Sequence, residues 1–122
     1  MMASKYKNKK IEVNGILFDS KKEARRYEQL LLLEKAGEIT DLQMQVKYVL
    51  IPAQYATVQD GHKMKRKCIE REVTYVADFV YRDKNQKLHV EDTKNPYLRK
   101  EPRYVIKRKM MLYFHGIRIE EV

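Results

Sequence analysis

Cysteine is almost absent: Cys68 is the only one in 122 residues. No intrachain disulfide and no cysteine-based zinc site can form, which agrees with a reducing compartment, and Cys68 reads as an ordinary unpaired thiol. No apolar run approaches the roughly 18 residues that span a bilayer, and the lysine-rich N-terminus lacks the apolar stretch of a signal peptide. The expectation is a soluble, intracellular, cytoplasmic protein with no membrane partner. Internal repeats and low-complexity linkers are also missing, and typical domains run to roughly 100 to 150 residues. The chain therefore reads as one domain, residues 1–122, with residues 1–9 as a basic tail.

Acidic residues are outnumbered, 17 against 26 Lys and Arg, for a net charge of +9. So large an imbalance at this size points to a polyanion, because Lys and Arg gain affinity by displacing counterions from phosphates. The basic residues fall in three separate places and form no amphipathic helix face, which favours nucleic acid over membrane. They are Lys5, Lys7, Lys9 and Lys10; the stretch from Lys63 to Arg71; and the stretch from Arg99 to Lys109. Apolar content of 43% supports a packed core.

Asn14-Gly15 lies between two short apolar stretches within Lys10 to Phe18 and predicts an N-terminal hairpin. Ser20-Lys21-Lys22-Glu23 has the capping-box pattern, and Ala24, Tyr27, Leu30, Leu31 and Leu33 follow at helical spacing up to Gly37. Leu42 to Ile51 is strand-like. Asp60-Gly61 marks a turn in a basic connection, and a strand resumes near Ile69 and runs to Tyr81. A turn near Gly61 would pair these strands as a long antiparallel ribbon. A second turn at Asp83 to Gln86 leads into Lys87 to Lys94. A helix is expected from Pro102 to His115, stopped by Gly116, and Ile117 to Val122 forms a last strand parallel to Lys87–Lys94.

Alternation places Val73, Tyr75, Ala77 and Phe79 on one face and Thr74, Val76, Asp78 and Val80 on the other. Both faces are largely apolar, so Asp78 is a carboxylate where burial should exclude one. In the next strand Leu88, Val90, Asp92 and Lys94 share an apolar face, while Lys87, His89, Glu91 and Thr93 read as solvated. A turn centred near Asn85 sets Asp78 opposite Asp92, and two such charges need compensation. Oxygen-only ligation suits Mg2+, with Mn2+ substituting, more than zinc. Lys94 could activate water or offset charge in the transition state. A buried structural ion pair between Lys94 and one aspartate is the competing reading.

The ordered set of Phe18-Asp19-Ser20-Lys21-Lys22-Glu23, Val76-Ala77-Asp78-Phe79 and Asp92-Thr93-Lys94 resembles the PD-(D/E)XK nuclease superfamily, particularly a small phage-encoded branch, which would act in a bacterial host. Ala77 stands where proline is common before the first acid. The resemblance implies an α/β (α+β) restriction-endonuclease-like core of helix, three strands, helix and strand. Its mixed central sheet would be flanked by helices and preceded by the hairpin. It further implies Mg2+-dependent hydrolysis of DNA phosphodiester bonds. Glu23, Asp78, Asp92 and the Thr93 carbonyl would be the metal ligands and Lys94 the catalytic lysine.

Glu23 falls in the helix stripe facing the sheet, but it is equally the capping partner of Ser20; Glu34 is a weaker substitute. Lys63, Lys65, Arg66, Lys67, Arg99, Lys100, Arg103 and Lys107 are candidates for gripping duplex or branched DNA, and Lys107 to Lys109 equally suit a solvated helix face. Met110, Met111, Leu112 and Phe114 read as packing residues. His62, His89 and His115 lack metal-ligand spacing. Two variants stay open: a structure-selective Holliday junction resolvase acting as a homodimer, and a non-catalytic DNA-binding module retaining the fold. Charge alone does not separate DNA from RNA.

Overall fold

A computed structural model describes residues 10–122; the expected basic tail and its Lys5, Lys7 and Lys9 lie outside the described residues. The first hairpin is β1 (Ile11–Val13) and β2 (Ile16–Phe18). Asn14 (φ 51°) and Gly15 (φ 79°) both occupy the left-handed region that a two-residue turn requires. Ser20 then caps α1 (Lys21–Lys35), its Oγ accepting from the Glu23 N–H at 3.1 Å. The helix ends through Ala36 and Gly37, the latter at φ 77°.

A four-stranded mixed sheet forms the centre, in the order β3 (Ile39–Ile51), β6 (Val73–Asp83), β7 (Leu88–Asp92), β8 (Glu120–Glu121). Only the β7–β8 pair is parallel. The expected ribbon is present but broken in two. Pro52-Ala53 and Arg71-Glu72 separate the β3–β6 ladder from a two-stranded hairpin, β4 (Gln54–Asp60) and β5 (Lys63–Glu70). The uninterrupted strand expected from Ile69 to Tyr81 is thus corrected. Proline cannot donate to the ladder, and its position in the chain marks one side of the break.

The helix α2 (Pro102–His115) begins on Pro102, with Glu101 accepting from the Arg103 and Tyr104 N–H groups, and ends at Gly116 in the left-handed conformation. The two helices cover opposite faces of the sheet. Phe18, Ala24, Tyr27, Leu30, Ile39, Phe79 and Tyr81 form one core under α1 and the first hairpin. Leu50, Tyr75, Ala77, Val80, Val90, Tyr104, Met111 and Ile119 form the other, under α2. The domain is therefore a mixed α+β layer structure with a mixed sheet and two helices.

Strict alternation fails at Asp78. Tyr75 and Ala77 pack under α2, whereas Phe79 and Tyr81 pack under α1. Opposite them in β3, Leu42 and Met44 pack on the α1 side and Val46, Tyr48 and Leu50 on the α2 side. The two strands change face together at Gln45 and Asp78, where Gln45 adopts φ 52° and the pairing skips between Met44↔Phe79 and Val46↔Ala77. One left-handed residue thus lets a single pair of strands serve both cores. The expected shared face of Val73, Tyr75, Ala77 and Phe79 is corrected accordingly.

On α2, Met111 is buried but Leu112 and Phe114 are about half exposed, so those two do not pack in the core as expected. No helix among the described residues is long and apolar enough to cross a membrane.

Candidate active site

The β6–β7 register is the one expected, with Phe79 facing Glu91 and Val80 facing Val90, and the ladder ends one residue short of Asp78 and Asp92. The irregularity at Asp78 turns its carboxylate toward the end of β7. There Oδ2 accepts from the Thr93 N–H at 2.8 Å and from the Thr93 hydroxyl at 2.7 Å. Its Oδ1 faces the Gln45 amide at 3.4 Å, and the same amide donates to Glu23 Oε1 at 3.0 Å. Gln45 thereby links the α1 acid to the β6 acid.

Glu23 is buried at 7% exposure. Its backbone N–H completes the Ser20 cap, while its side chain turns toward the sheet and Gln45. Glu34 instead accepts from the Leu42 N–H, an exposed contact away from the site. Among the helix acids, Glu23 is the one brought to Asp78.

Asp92 is buried at 3% exposure. Tyr75 donates its hydroxyl to Oδ2 at 2.6 Å, and Lys94 Nζ lies 3.4 Å from Oδ1. Lys94 also approaches the Tyr104 ring, 5.2 Å from its centroid. Burial pushes the Asp92 carboxyl up to about 6; the Asp78 charge adds to this, while the Tyr75 hydrogen bond and Lys94 oppose it. Burial likewise raises Glu23 to about 7, with Asp78, Asp19 and Asp92 contributing through like charge. These acids are therefore held close together in a place that disfavours their charge.

Two clefts meet at Lys94. One is lined by Asp19, Lys22, Glu23, Asp78, Thr93 and Lys94. The other is lined by Asp92, Lys94, Arg103, Tyr104 and Lys107, among others. Of the expected phosphate-gripping residues, Arg103 and Lys107 thus stand beside the acids, and Arg99 donates from Nε to the Lys94 carbonyl at 3.1 Å. Lys100 is exposed in the short 3-10 turn before α2. Lys63, Lys65, Arg66 and Lys67 lie on the fully exposed β5, outside both clefts.

Three carboxylates from α1, β6 and β7 are oxygen donors of the kind a hard divalent cation takes. Among the described residues, no three acidic, histidine or cysteine side chains converge in ready metal-binding geometry. The Asp78 carboxylate is engaged with Thr93, and Asp92 lines the neighbouring cleft.

Glu91 requires a correction, because it is not solvated but 1% exposed. Arg26 grips it with two hydrogen bonds, Nε to Oε1 at 2.7 Å and Nη2 to Oε2 at 2.6 Å, and the Tyr81 hydroxyl donates to Oε2 as well. This fully partnered carboxylate faces α1, opposite Asp92. His89, also expected on a solvated face, is only 18% exposed and is clamped between Asp83 and Glu120 at 2.9 and 2.7 Å.

Gln45, Tyr75, Asp19 and Lys22 were not legible as site residues from sequence. Asp19 and Lys22 lie in the stretch of residues 18–23 around the helix cap, which was their only signal. Lys22 reaches the site from α1, donating to the Lys94 carbonyl at 3.0 Å.

A mixed α+β domain with paired acids and a lysine at a strand end is the class that fold and site define. The chain belongs to the family described as "Protein of unknown function (DUF1064)", whose model matches residues 3–120. Comparison with curated proteins and with solved structures finds no match.

Proposed function

We propose that this protein is a metal-dependent nuclease with a restriction-endonuclease-like core, hydrolysing phosphodiester bonds in DNA. The observation that carries the reading is that Glu23 and Asp78 line one cleft and Asp92 the next, with Lys94 lining both. Burial disfavours the charged forms of Glu23 and Asp92, and the Asp78 charge adds to both, a cost that a divalent cation would relieve. Around them the chain carries a net +9. An acidic centre in a basic protein suits a polyanionic substrate held by cations and cut at a metal.

Glu23, Asp78, Asp92 and the Thr93 carbonyl would hold Mg2+ or Mn2+. When bound, the ion would polarise the scissile phosphate and lower the pKa of the attacking water. The chain's own groups have separable tasks. Tyr75 fixes Asp92 Oδ2 and leaves Oδ1 toward Lys94. Lys94, held beside that oxygen, orients the water and offsets charge that builds on the phosphate oxygens during attack. Gln45 keeps the Glu23 and Asp78 carboxylates at a fixed separation. Arg103 and Lys107, across the second cleft, bind flanking phosphates.

The direct test is incubation with supercoiled, linear, single-stranded and four-way-junction DNA in Mg2+, Mn2+ or EDTA. Cleavage that needs the metal is expected, and its distribution among the four substrates separates a general endonuclease from a junction resolvase. No cleavage of any substrate across pH 6 to 9 would overturn the enzyme reading.

A further inference from the structure

A third cleft adjoins the acidic one and shares Lys22 and Thr93 with it. Its α1 wall carries Lys21, Lys22, Arg25, Arg26 and Gln29, with Thr93 and Val122 also lining it. The helical repeat explains the row: positions 21, 25 and 29 recur at every fourth residue, and 22 and 26 run beside them. Arg26 is committed to Glu91. Lys22 is tied to the Lys94 carbonyl, which fixes this cleft relative to the site.

Lys21 and Arg25 are both exposed, and among the described residues neither has an acidic partner within ion-pair distance. Like charges one helical turn apart, lining a cleft that adjoins the acidic one, repel each other and gain nothing through pairing. A bound anion would supply the missing partner. We propose that Lys21, Lys22 and Arg25 form a phosphate-binding subsite that holds a phosphate of the DNA strand next to the one lying at Asp78. This rests on the nuclease reading, and it gives the strand a path: from α1, over the acids, toward Arg103 and Lys107. The phosphate is either an internal phosphodiester or the terminal phosphate of a strand end, two sources with one chemistry.

The test is binding by the Lys21→Ala/Arg25→Ala double variant in EDTA, where metal-dependent cleavage cannot run. The probes are a closed circular duplex and a short linear duplex with and without terminal phosphates. Two lost phosphate contacts should weaken binding about tenfold at low salt and reduce the slope of log affinity against log salt by roughly 1.8. Lys84→Ala, which removes one charge far along the chain, should change neither. Equal loss on circular and linear DNA assigns an internal phosphodiester; loss confined to the phosphorylated ends assigns a terminal phosphate.

An unchanged salt slope in the double variant, or an equal effect from Lys84→Ala, overturns the subsite. Unaltered thermal melting of the double variant excludes misfolding as the cause of any loss, since both substitutions sit on an exposed helix face and favour helix. The two readings fail separately. If the wild-type protein binds through this cleft but cleaves nothing, the subsite stands and the nuclease falls. If cleavage is intact and the double variant binds normally, the reverse holds.

Discussion

Replacing Arg26 with Met keeps the aliphatic stem on α1 and removes the guanidinium that holds Glu91. In the wild-type protein that carboxylate is 1% exposed and accepts two hydrogen bonds from Arg26 and one from Tyr81. In the variant it keeps only the tyrosine. Removing one partner of a buried ion pair typically costs about 3 to 5 kcal/mol, because the remaining charge is left without compensation. Arg26 is a quarter exposed, which places the expected loss near the lower end, about 3 kcal/mol at pH 8. For a domain of this size that corresponds to a fall in Tm of about 10 to 15 °C.

Urea unfolding at pH 8 reads the loss. The double variant Arg26→Met/Glu91→Gln should be more stable at pH 8 than Arg26→Met alone, since the orphaned charge is gone. A loss under about 1 kcal/mol at pH 8, or a double variant no more stable than the single, would refute the reading of Glu91 as a charge that depends on Arg26.

Other outcomes follow from the same geometry. Glu23 rises from 4.5 to about 7 and Asp92 from 3.8 to about 6, so the metal-free folded state binds more protons than the unfolded one between those values. Stability without metal should fall by on the order of 3 kcal/mol from pH 4.5 to 7.5, and Glu23→Gln should flatten most of that slope in denaturant titrations. Tyr75→Phe removes a hydrogen bond that lowers the Asp92 pKa, so the acidic limb of the cleavage profile should move to higher pH; an unmoved limb would separate Asp92 from the chemistry. Gly116→Ala meets no atom within 4 Å but must hold φ 65°, so it should cost about 1 kcal/mol in unfolding experiments by backbone strain alone.

Local chemistry made much of the fold legible. Asn14-Gly15, the Ser20 cap and the Pro102 to Gly116 boundaries all act within a few residues, and the turn centred on Asn85 fixed the β6–β7 register. Glu91 was misplaced because its partner lies 65 residues away on α1, and alternation cannot distinguish a solvated carboxylate from one matched by a distant arginine. The change of face at Asp78 was hidden for a related reason. It depends on a left-handed Gln45, a residue type that does not announce positive φ. Leu112 and Phe114 follow helical spacing yet remain half exposed, because the sheet under α2 is already covered through Tyr104 and Met111. In the candidate site, Asp78, Asp92 and Lys94 were singled out by alternation and Glu23 by the family resemblance, whereas Gln45 and Tyr75 depended on tertiary contacts.

The central claim is that Asp78 belongs to a metal-dependent phosphodiesterase centre and is not merely a partner of Thr93. The most direct measurement compares wild-type protein with Asp78→Ala for Mg2+-dependent DNA cleavage, with DNA binding measured in parallel. The account predicts that the variant binds DNA as tightly as wild type or more tightly while cleavage is lost. Asp78→Ala that alters stability alone, with cleavage unchanged or absent from both proteins, would contradict it.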